Sequence, residues 1–362
     1  MKILLLGEYS NVHNTLSEGL RQLGHDVTLI SNGDFWKDYP RDINLQRTYG
    51  HFGGLRYYIK AWWLLHRMRD YDIVQLINPM FLELRAERIF RFFRYLRRHN
   101  RKLMLGAFGM DYYWVHECVR NKPLRYSDFT IAGKLREDVA AQKYLREWMG
   151  TIKESLNIDI AMGCDKIITG LYEYDVCYRP NYPNKTTFIP YPIKVEQSNI
   201  SLETPKKIRF FIGISKDRSE YKGTDIMLRA LLHLKENYPD DVELMKVEGV
   251  PFKQYETMMN NCDVVLDQLY SYTPAMNGLL AMSKGKVLVG GGEEEGYEIL
   301  GEKELRPIIN VLPDEQDVYS KLEDLVKHKE RIPTLKAQSM EYIRRHHDHL
   351  KVAKQYVECY TN

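Results

Sequence analysis

The sequence predicts an α/β protein made of two Rossmann-like domains. Three features lead there. The 362 residues, 44% of them hydrophobic, suffice for two cores. Short apolar runs such as residues 2–6 and Ile208–Ile214 lack the polar alternation of a half-wet strand, which places them inside parallel sheets. Helix-length amphipathic segments alternate with these runs, and the alternation restarts after residue 206.

Residues 2–6 form the first strand, Gly7–Ser10 its loop, and Asn14–Leu23 a helix with Leu16, Leu20 and Leu23 on one side and Gly24 at its end. His25–Ile30 is the second strand. The loop lacks GxGxxG, which argues against a dinucleotide here. Residues 55–68 read as an amphipathic helix and Asp72–Ile77 as a strand closed by Asn78-Pro79. Leu84–Lys102 reads as a helix carrying Arg85, Arg88, Arg91, Arg94, Arg97, Arg98, Arg101 and Lys102 against one acid, Glu87. Ile89, Phe92, Phe93 and Leu96 fall on the opposite arc. Either the arginines are simply solvated, or they meet anionic lipid head groups while the apolar arc packs inward. Leu103–Ala107 is a strand. Residues 115–160 form an aromatic and charged excursion with a helix over Asp138–Glu154. Strands at 166–169 and 187–190 close the half, and 196–206 is a polar linker.

The second half repeats the pattern. A strand at Ile208–Ile214 leads through SKDRSEYKG to a helix at Thr224–Glu236. Val242–Val247 is a strand, and a helix lies around Tyr255–Asn261. The run from Cys262 to Gly292 reads as strand, loop, short helix, strand, with Thr273-Pro274 starting the helix and Gly285 ending it. A strand at Ile308–Leu312, a helix at 315–328 and a long helix at 336–361 finish the chain.

The net charge of +3 hides an asymmetry. Residues 1–195 carry 29 Lys and Arg against 21 Asp and Glu, a surplus of eight; the rest carries 23 against 28. The basic half suits an anionic membrane surface or a phosphate-bearing substrate. MKILLLGEYS is too short in its apolar run for a signal peptide, and no apolar stretch reaches membrane-spanning length. Five scattered cysteines without a CxxC pair suggest neither a zinc site nor a disulfide framework, and a reducing cytoplasm is the expected home.

The chemistry is expected where strands end. A helix N-terminus at the carboxyl end of a parallel strand is a ready anion site, so the 262–292 unit is either a diphosphate site or an ordinary βαβ corner. Lys216, Arg218 and Lys222 in the loop Ser215–Gly223 either add cations to it or are a solvated basic loop.

Several motifs together resemble the GT-B glycosyltransferases, in particular the retaining group 1 (family 4-like) enzymes. They are YKGTD at 221–225, GLLAMSKGKVLVGG at 278–291, the N-terminal GEYSNVHNTLSEGLRQLGHDVTLIS and the C-terminal YIRRHHDHLKVAKQYVECY. The resemblance covers nearly the whole chain. It implies an acceptor domain at 1–195, a donor domain at 207–335 facing it across a cleft, and a closing helix at 336–362 that packs back on the first domain. Lys222 matches the donor-diphosphate lysine, with Arg218 or Lys216 as its partner; Arg218 is preferred because a guanidinium binds phosphate bidentately. Ala275, Met276, Asn277 and Gly278 match the loop capping the leaving diphosphate, with Tyr272 and Thr273 ahead of it. Val250 matches the base-reading segment, Asp111 an acceptor-side polar residue with a catalytic role, and Ser10, Asn11 and His13 the first-domain loop.

The chain departs from that pattern in places. The Glu-x7-Glu pair falls on Tyr272 and Leu280. Tyr9-Ser10-Asn11 replaces paired glycines, and Phe108 stands near the usual histidine before Asp111. Glu293–Glu295 either substitute for the pair or form a solvated acidic turn. The expected activity is metal-independent transfer of a sugar, with retention, from a nucleotide-sugar substrate to a glycan or lipid-linked acceptor in cell-surface polysaccharide synthesis. No further cofactor and no nucleic acid is expected, and the location is cytoplasmic, peripheral on the inner membrane face. A catalytically silent GT-B-like scaffold and a sugar-nucleotide epimerase are the alternatives.

Overall fold

The computed structural model describes residues 1–195 and 203–362, so most of the expected linker at 196–206 lies outside the described residues. The chain begins with β1 (Lys2–Leu6), α1 (Val12–Gln22), β2 (Asp26–Ser31), β3 (Ile43–Asn44), α2 (Gly53–Leu64), β4 (Ile73–Leu76), α3 (Ala86–His99), β5 (Lys102–Ala107) and α4 (Tyr112–Arg120). A two-residue-per-strand hairpin, β6 (Thr130–Ile131) and β7 (Lys134–Leu135), precedes α5 (Val139–Trp148), α6 (Ile152–Gly163), β8 (Lys166–Thr169), α7 (Tyr172–Tyr178) and β9 (Thr186–Phe188). The second half runs β10 (Ile208–Ile214), α8 (Ser219–Lys222), α9 (Thr224–Asn237), β11 (Val242–Glu248), α10 (Phe252–Asn260), β12 (Val264–Leu266), α11 (Met276–Ser283), β13 (Val287–Gly290) and α12 (Glu294–Leu300). It ends with β14 (Ile308–Asn310), α13 (Glu315–Lys327), α14 (Ile332–Tyr342) and α15 (His349–Thr361).

Two compact units result. The first comprises Met1–Glu117, Leu145–Pro192 and His349–Asn362; the second comprises Cys118–Tyr144 and Ile193–Asp348. Beyond a shift of the first boundary from 195 to Pro192, this differs from the sequence-based boundaries in two places. Residues 118–144 cluster with the second unit, because their side chains hydrogen-bond to its loops. The expected 336–361 helix is broken: α14 passes into a π-helical turn at Ile343–His347, and only α15 belongs to the first unit.

The first unit is built on a seven-stranded sheet in the order β3-β2-β1-β4-β5-β8-β9, every pairing parallel. The strand order reverses between β1 and β4, so the loops after those strands splay to opposite faces and leave a crevice at their carboxyl ends. Ile3–Leu6 are wholly buried, as the unbroken apolar run requires. α15 lies along α1: a Cβ on Gly19 would come within 2.6 Å of the His349 carbonyl. Tyr360 is also buried, its hydroxyl donating to Gln75 Oε1 at 2.6 Å.

The second unit is built on a five-stranded parallel sheet, β11-β10-β12-β13-β14, whose order reverses between β10 and β12. Its core joins Ile208, Phe210 and Ile212 of β10 to Met227, Leu231 and Leu234 of α9 and to Val318, Leu322 and Leu325 of α13. Element boundaries move where local chemistry intervenes. α3 stops at His99 and Lys102 already belongs to β5; α5 and α6 replace the single helix expected at 138–154, interrupted at Gly150, which has φ of 67°.

Candidate functional site

The loops that leave β10 and β12 meet at the switch point of the second sheet. After β10 the chain makes a 3-10 turn at Lys216–Arg218, then α8, then Gly223. Gly223 has φ of 72°, and a Cβ there would stand 2.6 Å from Leu269 Cβ. Glycine is therefore required twice, for the left-handed backbone and for the close approach of the second loop. That approach is fastened by the Leu269 N–H, which donates to the Lys222 carbonyl at 2.9 Å. Lys222 lies close enough to Asp267 to oppose the burial that raises this carboxyl above its usual range. Asp267 in turn accepts from Asn277 Nδ2 at 2.8 Å, and Asn277 Oδ1 accepts from Tyr255 OH at 2.9 Å. One lysine and the first turn of α11 are thus brought to the same strand ends.

α11 begins at Met276 with Ala275 as its N-cap, two residues later than Thr273-Pro274 implied. An alanine cap supplies no side-chain acceptor to the first turn. Thr273 is buried in the preceding loop, its carbonyl accepting from Ser271 Oγ. Gly278 approaches Asp267: a Cβ there would lie 3.1 Å from Oδ2. Arg218 is exposed and sits over the Tyr221 ring at 5.3 Å. The Lys216 side chain lies outside the described residues. Val250 is in the loop between β11 and α10, behind Gly249 with φ of 64°.

Tyr272 and the acidic turn are engaged with residues 118–144. The Arg125 N–H donates to Tyr272 OH at 2.7 Å, and the Arg125 guanidinium lies 5.0 Å from the Tyr272 ring centre. Arg125 pairs with Glu293 at 2.6 Å and with Glu295 at 2.5 Å; Tyr126 OH donates to Glu293 at 2.5 Å. Glu293 is buried and Glu295 half-buried while Glu294 is exposed, so the reading of 293–295 as a solvated acidic turn is corrected for Glu293 and holds for Glu294. Leu280 lies on α11 and is half-buried.

In the first unit, the loop after β1 carries Ser10 and Asn11 with φ of 52° and 74°. These two residues adopt the left-handed backbone that glycines would take, a conformation asparagine tolerates. Ser10 N–H donates to Asp34 Oδ2 at 2.8 Å, Lys37 Nζ to Ser10 Oγ at 3.2 Å, and Asn14 Nδ2 to Asn11 Oδ1 at 2.9 Å. His13 is wholly buried, with Nδ1 2.8 Å from the Gly7 carbonyl and Nε2 3.0 Å from Gln75 Nε2. Nδ1 therefore carries the proton and Nε2 accepts from the amide. Burial pushes its pKa down to about 3. The expectation that His13 faces a ligand is corrected: both ring nitrogens are used inside the fold.

Asp111 is also wholly buried. Oδ1 accepts from the Trp114 N–H at 2.9 Å, capping α4, and Oδ2 accepts from Tyr178 OH at 2.7 Å. Burial, partly offset by these bonds, pushes its pKa up to about 7. Glu8, which the sequence reading passed over, is buried beneath the start of α1. It accepts from the Asn14 N–H at 2.7 Å and the His13 N–H at 3.3 Å, and burial pushes it up to about 8. An acid within two residues of the end of a buried strand was the available signal for both Glu8 and Asp267. Nothing local marked Arg125, whose partners lie far along the chain, or the bonds of Arg136 to the Glu220 and Tyr221 carbonyls.

No protein-family model and no curated protein sequence matches the chain. Solved structures do. HepE from Anabaena, in complex with UDP and glucose, aligns with a TM-score of 0.62 at 13% identity over 100% of both chains. Sucrose-phosphate synthase from Thermosynechococcus elongatus aligns with 0.63 at 12% identity over 100% of this chain and 98% of its own. WaaG, a glycosyltransferase involved in lipopolysaccharide biosynthesis, aligns with 0.59 at 12% identity over 100% of both. The fold is that of the GT-B glycosyltransferases.

Proposed function

We propose that the protein is a glycosyltransferase that moves a sugar, with retention and without a metal, from a nucleotide-sugar donor to a glycan or lipid-linked acceptor in cell-surface polysaccharide synthesis. The observation that carries this reading is the fastening of the Lys222 turn to the 267–272 loop at the switch point of the second sheet. In this reading Lys222 and the amides at Ala275–Gly278 meet the charge that develops on the leaving diphosphate. Arg218 swings from Tyr221 to join them, and Lys216 and Val250 border the nucleotide. Ser10 and Asn11 border the acceptor. Asp111 positions α4, since both of its oxygens are engaged. HepE structures hold UDP, and UDP with glucose, which makes UDP the first nucleotide to test. Saturating UDP, at ~100 times its Kd, should stabilise the protein by about 2.7 kcal/mol. Lys222→Ala should weaken UDP binding roughly tenfold to a hundredfold, the worth of one hydrogen bond to a charged group. Equal melting shifts for the two proteins would refute this assignment of Lys222.

A silent GT-B scaffold is the second reading. It is favoured by the occupation of Tyr272 by Arg125 and Tyr126, where the resemblance implied a sugar-holding glutamate. UDP binding without any hydrolysis or transfer of UDP-sugars would support it.

The basic face of α3 adds an anionic membrane as partner. Arg85, Arg88, Arg91, Arg94, Arg97 and Arg98 are exposed while Ile89, Phe92, Phe93 and Leu96 are buried. Next to it, α2 exposes Leu55, Ile59, Trp62 and Trp63, with Trp62 5.5 Å from Phe92 and Arg88 4.5 Å from the Tyr58 ring. Aromatic and basic side chains on one face fit the interface of an anionic bilayer. No helix among the described residues is long and apolar enough to cross a membrane.

A further inference from the structure

Residues 118–144 leave the first sheet's topology, form a hairpin too short to be stable alone, and set two arginines, Arg136 buried and Arg125 exposed, against loops that follow them by more than eighty residues. We propose that this segment is a positioning strap for the donor loops, and that Arg136 is the residue that sets their geometry for a nucleoside diphosphate. The proposal rests on the donor-site reading above.

Arg136 is 8% exposed. Its guanidinium donates to the Glu220 carbonyl at 2.7 Å and to the Tyr221 carbonyl at 3.1 Å, the two residues immediately ahead of Lys222. The same group donates to the Asp128 carbonyl at 3.2 Å, pairs with Asp138 at 3.1 Å and lies 3.6 Å from the Tyr270 ring centre. Asp128 returns to the turn by accepting from Tyr221 OH at 2.6 Å. One planar cation therefore holds α8 from its carbonyl end and, through Tyr270, the loop after β12. The Leu269–Lys222 hydrogen bond closes the circuit between them. A guanidinium can satisfy several carbonyls at fixed angles while stacking on a ring; an ammonium cannot do both. Arg125 and Tyr126 hold the other end of the same loop through Tyr272 and Glu293. The strap touches the backbone ahead of Lys222 and the tyrosine side chains of the loop that leads to α11, so it acts through them.

The test compares wild type, Arg136→Ala, Arg136→Lys and Leu231→Ala, the last a core substitution remote from the strap that controls for lowered stability. Amide hydrogen exchange is followed at 215–224 and 267–272, and UDP binding is titrated by calorimetry at a temperature where all four are folded. Arg136→Ala should speed exchange at both loops and raise the UDP Kd at least tenfold. Arg136→Lys should recover less than half of that change, and Leu231→Ala should lower the melting temperature without altering either readout. Unchanged loop exchange in Arg136→Ala overturns the strap. So does unchanged UDP affinity in a wild type that binds UDP. If wild type binds no UDP, the donor-site reading fails, and the exchange data alone decide the strap.

Discussion

Neutral His13, wedged between the Gly7 carbonyl and Gln75, makes the stability of the first unit depend on acid. Its folded pKa of about 3 lies below the ordinary value of 6.5, so the folded state refuses a proton that the unfolded chain accepts. Its contribution is intact above pH ~6.5 and drains as pH falls toward 3. His13→Gln, which keeps a donor and an acceptor, should flatten the loss of melting temperature between pH 7 and pH 5; a parallel fall in both proteins would disprove the assignment. Glu8 has the opposite sign. Its folded pKa of about 8 exceeds the unfolded value, so stability is lost as pH rises from ~4.5 to 8. Glu8→Gln should hold its melting temperature better than wild type between pH 5 and pH 8.5 in a thermal scan. Gly223→Ala should cost about 1–3 kcal/mol in a denaturant titration from backbone strain, before the clash with Leu269 is counted. The sequence announced Gly223 through its place after the Lys222 turn and before a helix. It could not announce that Ser10 and Asn11 take the backbone of glycines, because their φ values answer to Asp34 and Asn14.

At the scale of elements, α3 and α2 form one surface, although only α3 stood out by composition. Its arginines are countable and its apolar arc follows from a 100° turn per residue. Whether Trp62 and Trp63 faced a core or solvent was not readable, because an amphipathic period fixes an arc and not its partner. Vesicles with a third of their lipid anionic should bind the protein at low salt and release it at 0.5 M, where the Debye length falls to a few ångström. Arg91→Glu with Arg94→Glu should abolish that binding without changing the circular dichroism spectrum. Binding to neutral vesicles of equal strength would reject the surface. Segment 118–144 had the reverse history. Its composition gave an unplaced excursion, since its order comes from carbonyls and carboxylates of a unit encoded later in the chain.

At the scale of the whole molecule, the first unit is completed by the last residues of the chain. Val352, Ala353, Tyr356 and Tyr360 are buried, and Tyr360 reaches Gln75, which also holds His13. Deleting 349–362 should therefore remove the first unit's melting transition or render the protein insoluble, while leaving the β10–β14 core able to fold. A truncated protein with an unchanged two-unit melting profile would contradict this.

By itself the sequence determined that there are two parallel α/β units, where most of their strands and helices lie, and that basic residues follow β10 and a short helix follows β12. Those are consequences of hydrophobic period and of glycine, which act over a few residues. Only the tertiary structure decided that Lys222 is tied to the loop at Leu269, that His13 and Asp111 serve the fold internally, and that Tyr272 and Glu293 are held by Arg125. Each of these includes a hydrogen bond between residues remote in sequence, whose geometry exists only after the strands of a sheet have brought those residues together.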